Sequence, residues 1–538
     1  MEFIKKHRCL LFAIITLLQI LIIIYWGGKR ENLYWDEFFT FEKTHYASDS
    51  TPGEHYIDVD AEYKLGTWLP IAIVKESLVV TKDNSVLLDP ITHTLRKIFK
   101  FNSYMVLLNI VEVILTPGRL SIWPAIILNL ILFVLNQIIL YRLCNEFIDN
   151  TLYSVAGTAF YGFSSMCVSM AIFVRFYMFA TLLTTIFVYF HFMYYKSEDK
   201  EHIKRIMYLL LAFLALLLSY NSAEFTIIYG GFFVLIFSVV LWIRKGFKRF
   251  LYYSIPIYGG GLCYIATQTN YLGILFDFEA TYTEANGALS WCLEQIADFY
   301  PGILPLRISE MALLLGRYMF GSYYVMKSYI AIAIIVIIIR VIKKNVVKDT
   351  WNDYIIILAF SLLLFIAFFT TFGLYEQPRY ISYVFPEIAI VMVFWSYRLF
   401  KSEIFRNIMA LFLLFVVVLS VNIKGKVDML YTGDGQFIET VRDMDVESIL
   451  LYAGGHRTFI SYQTALLVDD DAEFYVYDRS EENALLQFED QIRDKMLIIE
   501  ESGTEDEDVI NMLEQKGYTI EAVAWTYQFT IKYATLEG

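Results

Sequence analysis

The sequence predicts a polytopic α-helical membrane protein with a small α/β domain at its C-terminus. Three observations lead there. Of the 538 residues, 57% are hydrophobic and only 18% charged, where soluble domains run at roughly 45–50% and about 25%. The apolar residues gather in repeated runs long enough to cross a bilayer as helices, which takes about 20 residues each. The net charge of −13 is unevenly spread. From Lys424 onward there are 25 acids against 9 Lys and Arg, whereas residues 1–423 are close to neutral. An acidic soluble tail on a neutral membrane body argues against binding nucleic acid or anionic lipid surfaces.

The chain opens with a basic start and an apolar run, "MEFIKKHRCLLFAIITLLQILIIIYW". The following "IIIYWGGKRENLYW" offers only a weak small-residue cleavage site and the apolar run is long for a signal, so it reads as a retained first span. Ten more candidate spans follow at about 121–142, 151–169, 176–195, 206–221, 225–243, 250–268, 325–342, 354–373, 380–398 and 404–423, giving eleven. The loops "YYKSEDKEHIKR", "RKGFKR", "RVIKKNVVKD" and "RLFKSEIFR" are basic and alternate with poorer ones. By the positive-inside rule this puts the N-terminus inside a plasma membrane and the tail outside. Residues 1–423 then form the membrane domain and 424–538 the soluble one. The first outer loop, 27–120, is too long to be a connector. Its "HTLRKIFKF" and "SYMVLLNIVEVIL" read as helices lying on the outer surface. A second long outer segment covers 269–324. In the tail, "SILLYAG", "AEFYVYD" and "KMLIIEE" are strand-like, with helix-compatible stretches such as "EDEDVINMLEQKG" between and after them.

Chemistry is concentrated on the outer side. Directly after the first span, "ENLYWDEFFTFEKTH" sets Asp36 and Glu37 among aromatic residues. One reading makes Asp36 a helix cap with Glu37 in the first turn; the other makes it a carboxylate held at the membrane surface for catalysis. Outer segments should be poor in cations, yet Arg119, Arg175, Arg317, Lys327 and Arg379 lie near outer helix ends. Singly, each could snorkel to lipid phosphate. Together, opposite an Asp-Glu pair, they suit a phosphate held at the outer surface. The five cysteines have no metal-like spacing, and His45, His55 and His93 form no zinc motif. No metal or other cofactor is indicated. The tail has no phosphate loop or nucleophile elbow.

The order and sidedness of these elements resemble a known family: an Asp-Glu pair after the first span, surface helices, Arg119 before the second span, "R-x-Y" at Arg175 and Tyr177, and "R-Y-x-x-x-x-x-P" at Arg379 and Tyr380. The chain is similar to the GT-C glycosyltransferases, of the branch holding protein O-mannosyltransferases and lipid A aminoarabinose transferases. The resemblance covers about 1–423. It stops at one element: relatives carry a "His-Pro-Pro-Leu-Tyr"-like stretch in the first loop, and here the comparable stretch is "FNSYMVLLN", with Tyr104 as its tyrosine. The resemblance implies transfer of a sugar from a polyprenyl-phosphate donor to a hydroxyl of a lipid, cell-wall polymer or protein. It makes Asp36 the base with Glu37 in support, gives the donor phosphate to Arg175, Arg379 and Arg119, and leaves Tyr177, Tyr380 and Tyr104 to hydrogen-bond sugar or phosphate. Two other classes fit the same spans. A lipid or polysaccharide transporter would place its charges near the midplane, often in repeated halves. A catalytically inactive accessory protein of the same fold would use its tail to bind a partner.

Overall fold

A computed structural model describes residues 7–48, 67–90, 94, 102–267, 301–342, 352–372, 378–452, 468, 471–477, 484–489, 491–501, 507–525 and 529–536, apart from the single positions 149, 199, 224, 401, 425 and 445. The surface helix expected over "HTLRKIFKF" and most of the second outer segment lie outside the described residues. The chain forms two compact units. One comprises Met1–Ile24, Asn129–Ala171 and Phe176–Val427; the other comprises Tyr25–Leu128, Ile172–Arg175 and Asp428–Gly538.

The first unit is the membrane body of an integral membrane protein. Among the described residues, seven helices are long and apolar enough to cross a bilayer, or eight if Thr151–Gly162 and Ser165–Ile172, bent by 56°, count as one span. Helices Phe247–Thr267, Tyr323–Ile342 and Glu403–Lys424 stand over the three remaining expected segments. Length and composition thus carry the span count to eight, and eleven stays an expectation. The first helix leaves Leu10, Leu17, Leu18 and Leu21 exposed, a face that only hydrocarbon solvates at low cost. Interior contacts are aromatic: His191 packs against Phe187, Phe233, Phe237 and Tyr253 and also hydrogen-bonds the Tyr253 hydroxyl at 2.9 Å. The 56° bend has a local cause. Gly162 lies against the amides of Gln19 and Gln137, where a Cβ has no room. The Ser164 hydroxyl then donates to the Tyr161 carbonyl and accepts the Cys167 amide, ending one helix and starting the next.

In the second unit, the segment after the first span supplies helices α1 (Trp35–His45), α2 (Ala72–Ser77) and α3 (Ser103–Leu115) and strand β1 (Trp68–Pro70). The tail supplies helices α4 (Asp434–Arg442), α5 (Ala484–Glu489) and α6 (Glu507–Gln515), with strands β2 (Ser448–Tyr452), β3 (Glu473–Tyr477), β4 (Lys495–Glu501), β5 (Tyr518–Trp525) and β6 (Phe529–Leu536). Together they make one six-stranded sheet in the order β1-β3-β2-β4-β6-β5. The central β3, β2 and β4 are parallel; β1, β6 and β5 pair antiparallel. Leu450, Tyr475, Met496 and Ile498 from the strands meet Phe488, Val509 and Leu513 from α5 and α6, the usual burial of an apolar sheet face beneath helices. Trp68 packs on this core, and its indole donates to the Gln491 carbonyl at 2.8 Å. The strand from the first loop is therefore an integral edge of the tail's sheet.

Candidate functional site

The Asp-Glu segment folds as α1 because its charges suit a helix start. Tyr34 is the N-cap and both acids fall in the first turn, where the helix dipole favours negative charge. The residue that returns to the cap is Glu37: its Oε2 accepts the Tyr34 amide at 2.7 Å. Asp36 is not the cap.

Glu37 is fully engaged. Arg30, which the motif reading passed over, forks onto both of its oxygens, with Nη1 2.9 Å from Oε1 and Nη2 on Oε2. The Val174 amide donates to Oε1 at 2.7 Å. Arg30 Nη1 also donates to the Ile172 carbonyl at 2.6 Å, and Nη2 to the Asn32 carbonyl at 3.3 Å. The two side chains are 1% and 0% exposed. A bidentate, fully buried ion pair thus pins the start of α1 to the turn 172–175.

That turn carries Arg175. Its Nη1 donates to the Asp36 carbonyl at 3.0 Å and the Thr40 hydroxyl at 3.2 Å, while Nη2 stands 4.0 Å from Asp36 Oδ2. Asp36 and Arg175 keep 18% and 15% of their side chains exposed. Adjacent carboxylates are therefore divided: one is sealed, the other is reachable beside a cation.

The rear of α1 is fixed by Asn109 of α3, fully buried. Its amide donates to the Thr44 carbonyl at 2.8 Å and accepts the Val86 amide at 2.9 Å. His45 lies 2.6 Å from the Val79 carbonyl; burial holds its imidazole below the usual range, partly offset by that hydrogen bond. Glu112 on α3 is almost fully buried, and desolvation pushes its carboxyl well above the ordinary range.

The other sequence candidates fall elsewhere. Tyr104 is wholly buried at the start of α3, where the Asn102 side chain caps its amide. Arg119 is exposed in the turn after α3, and no described contact joins it to Asp36. Arg379, Tyr380 and Tyr177 belong to the membrane unit. Arg379, 7% exposed, lies in the 3₁₀ stretch Pro378–Val384 with its guanidinium carbon 5.3 Å from the Tyr380 ring centre. Tyr177, buried, opens helix Tyr177–Lys196. The same unit has a cavity of about 460 Å³ lined by Glu310, Arg317, Tyr318, Ser322, Tyr323 and Pro378 among others; Lys327 sits over the Tyr323 ring at 4.2 Å. Among the described residues, no three His, Cys, Asp or Glu side chains gather as a metal ion would require.

No protein-family model matches the chain, and no curated protein matches it. Two crystal structures of ArnT from Cupriavidus metallidurans resemble the chain distantly. The one bound to undecaprenyl phosphate is 10% identical, covers 97% of each chain and has a TM-score of 0.40. The apo one is 11% identical, covers 98% of each chain and has a TM-score of 0.37. A likeness this distant decides neither family nor activity.

Proposed function

We propose that the chain is a GT-C type glycosyltransferase. It moves a sugar from a polyprenyl-phosphate donor to an acceptor hydroxyl at the outer face of the plasma membrane, with its N-terminus inside and its tail outside. One observation carries the reading: of two adjacent carboxylates, Glu37 is buried and held by Arg30 and two amides, and Asp36 keeps 18% of its side chain exposed with Arg175 Nη2 4.0 Å from its Oδ2.

That division suits a single displacement. The Asp36 carboxylate takes the proton of the acceptor hydroxyl as its oxygen bonds to the anomeric carbon. The bond from that carbon to the phosphate oxygen breaks, and its electron pair leaves with the phosphate. A phosphate monoester leaves readily and needs cations more than an acid. Arg175 supplies one; Arg379 and Arg119 are expected as further phosphate ligands from the resemblance alone. Glu37 supports by holding the helix, while Tyr104 is wholly buried and Tyr177 and Tyr380 are expected to meet sugar or phosphate from the resemblance alone. The apolar spans accommodate the isoprenoid.

The test is to compare lipid-linked and envelope glycans, by mass spectrometry, from cells making the wild type, the Asp36→Asn variant or no protein. A sugar substituent present only with the wild type supports the reading. Identical glycans in all three overturn it.

A further inference from the structure

The tail meets the candidate site at one place. Residues 430–435, which run from the stretch after the last membrane helix into the first turn of α4, lie along residues 31–34, immediately before α1. The Glu31 amide donates to the Leu430 carbonyl at 2.9 Å. The Glu31 carboxylate accepts the Gly433 and Gly435 amides at 2.5 and 3.3 Å, so it caps α4. In return, the Asn32 side-chain amide donates to Asp434 Oδ2 at 2.8 Å. The Tyr34 and Tyr431 rings stack within 6° of parallel, centres 6.3 Å apart.

The backbone of this segment is under strain. Met429 and Tyr431 have φ of 66° and 50°, and Gly433 has 103°. Residues with side chains enter the left-handed region at a cost and stay only where their surroundings hold them. Here the surroundings are the contacts just described. Gly435 adds a fit constraint: a Cβ there would come within 3.3 Å of Glu31 Cγ.

The residue these contacts grip is one step from the site. Tyr34 is the N-cap of α1; its amide donates to the Glu37 carboxylate, and its carbonyl accepts the Glu37 amide at 2.8 Å. Displacing Tyr34 therefore displaces the helix start that carries Asp36. We infer that residues 430–435 of the tail are a positioning clamp, with Tyr431 and Asp434 setting the placement of the Asp36 side chain through Tyr34 and Asn32. This deepens the proposed function and rests on it for the meaning of Asp36, but its test does not use a sugar.

The test places a thiol where the carboxylate stands. In full-length Asp36→Cys protein in detergent, the rate at which iodoacetamide alkylates the introduced thiol is read by peptide mass spectrometry, with the native cysteines as references in the same digest. A thiol beside Arg175 reports its distance from that cation, because the thiolate is the reactive form. Adding Tyr431→Ala or Asp434→Ala should change the rate at the introduced thiol by about threefold or more, since thiolate fraction follows the local charge. Tyr431→Phe keeps the stacked ring and should restore the parent rate, which general loosening of the fold would not explain. Leu486→Ala, exposed on α5, should leave the rate unchanged. Hydrogen exchange of β4 and β6 monitors that the sheet stays folded. If Tyr431→Ala does not fold, Gly435→Ala is the milder wedge and should shift the rate in its place. Parent rates in all the folded clamp variants overturn the inference. A shifted rate together with unchanged glycans in Asp36→Asn cells leaves the clamp standing and removes the base.

Discussion

Replacing Glu37 by Gln tests the division of labour between the two acids most directly. The wild-type carboxylate accepts four hydrogen bonds, two from Arg30 and one each from the Tyr34 and Val174 amides. Gln keeps one acceptor oxygen and turns the other position into a donor, which then faces donors. It also leaves the Arg30 charge unneutralised at 1% exposure. Breaking a buried pair from one side typically costs about 3–5 kcal/mol. Asp36→Asn removes a partly exposed pair at 4.0 Å and should cost no more than about 1 kcal/mol. In thermal unfolding of the full-length protein in detergent, Glu37→Gln should therefore melt well below Asp36→Asn. Arg30→Met should be comparably unstable, and Arg30→Met with Glu37→Gln less unstable than the two losses added, because no lone charge stays buried. A Glu37→Gln protein as stable as Asp36→Asn would refute the locked-carboxylate reasoning.

Four further outcomes follow. Asp36→Asn should lower turnover by about 10²- to 10⁴-fold, the usual contribution of a general base, while a polyprenyl phosphate still binds in a detergent binding assay. Arg175→Ala should weaken that binding and Arg175→Lys should restore it only in part, since a point charge does not reproduce a fork. Glu112 has a folded pKa raised above its unfolded value; its favourable contribution is present below about pH 4.5 and is lost as the pH rises through the folded value. Glu112→Gln should therefore stabilise the protein at about pH 8, measured by thermal unfolding, and the gain should shrink toward about pH 5. A cysteine at Glu507, exposed on α6, should react with an impermeant thiol reagent in intact cells; labelling only after lysis would place the tail inside.

The spans were legible because a bilayer demands long apolar runs, and the second and third helices of that pattern appear at Trp123–Phe147 and as the bent pair. "SYMVLLNIVEVIL" is a helix, as its spacing predicts. "SILLY", "EFYVY" and "KMLIIEE" are strands β2, β3 and β4, since short apolar runs bounded by polar residues leave little alternative. Strands β5 and β6 are harder to read: "YTIEAVAW", at the edge of the sheet, and "FTIKYATL", beside it, mix polar and apolar residues. Strand β1 was illegible for a different reason. Three residues ending in proline have no periodicity, and what makes them a strand is a partner in the tail. In the site, Asp36, Glu37 and Arg175 could be picked out by residue type and position. Arg30 could not, because it precedes Glu37 by seven residues across a turn and no helical spacing couples the two. The Tyr431 contact was hidden in the same way as β1.

The sheet that takes its edge from the first loop also sets a timetable for making the protein. Asn32 and its partner Asp434 are 402 residues apart in sequence, and β1 waits for β3 over a comparable distance. At ribosomal speeds of about 5–20 residues per second, roughly 20–80 s pass between the synthesis of the two sides. During that interval the first loop has neither sheet nor clamp, and every intervening membrane helix must be inserted. A chain stalled or cleaved before the tail emerges keeps its spans and its Asp-Glu pair but has nothing to complete the second unit. Assembly of the carboxylate's surroundings therefore waits for the tail, and a product lacking the tail would be unfinished by construction.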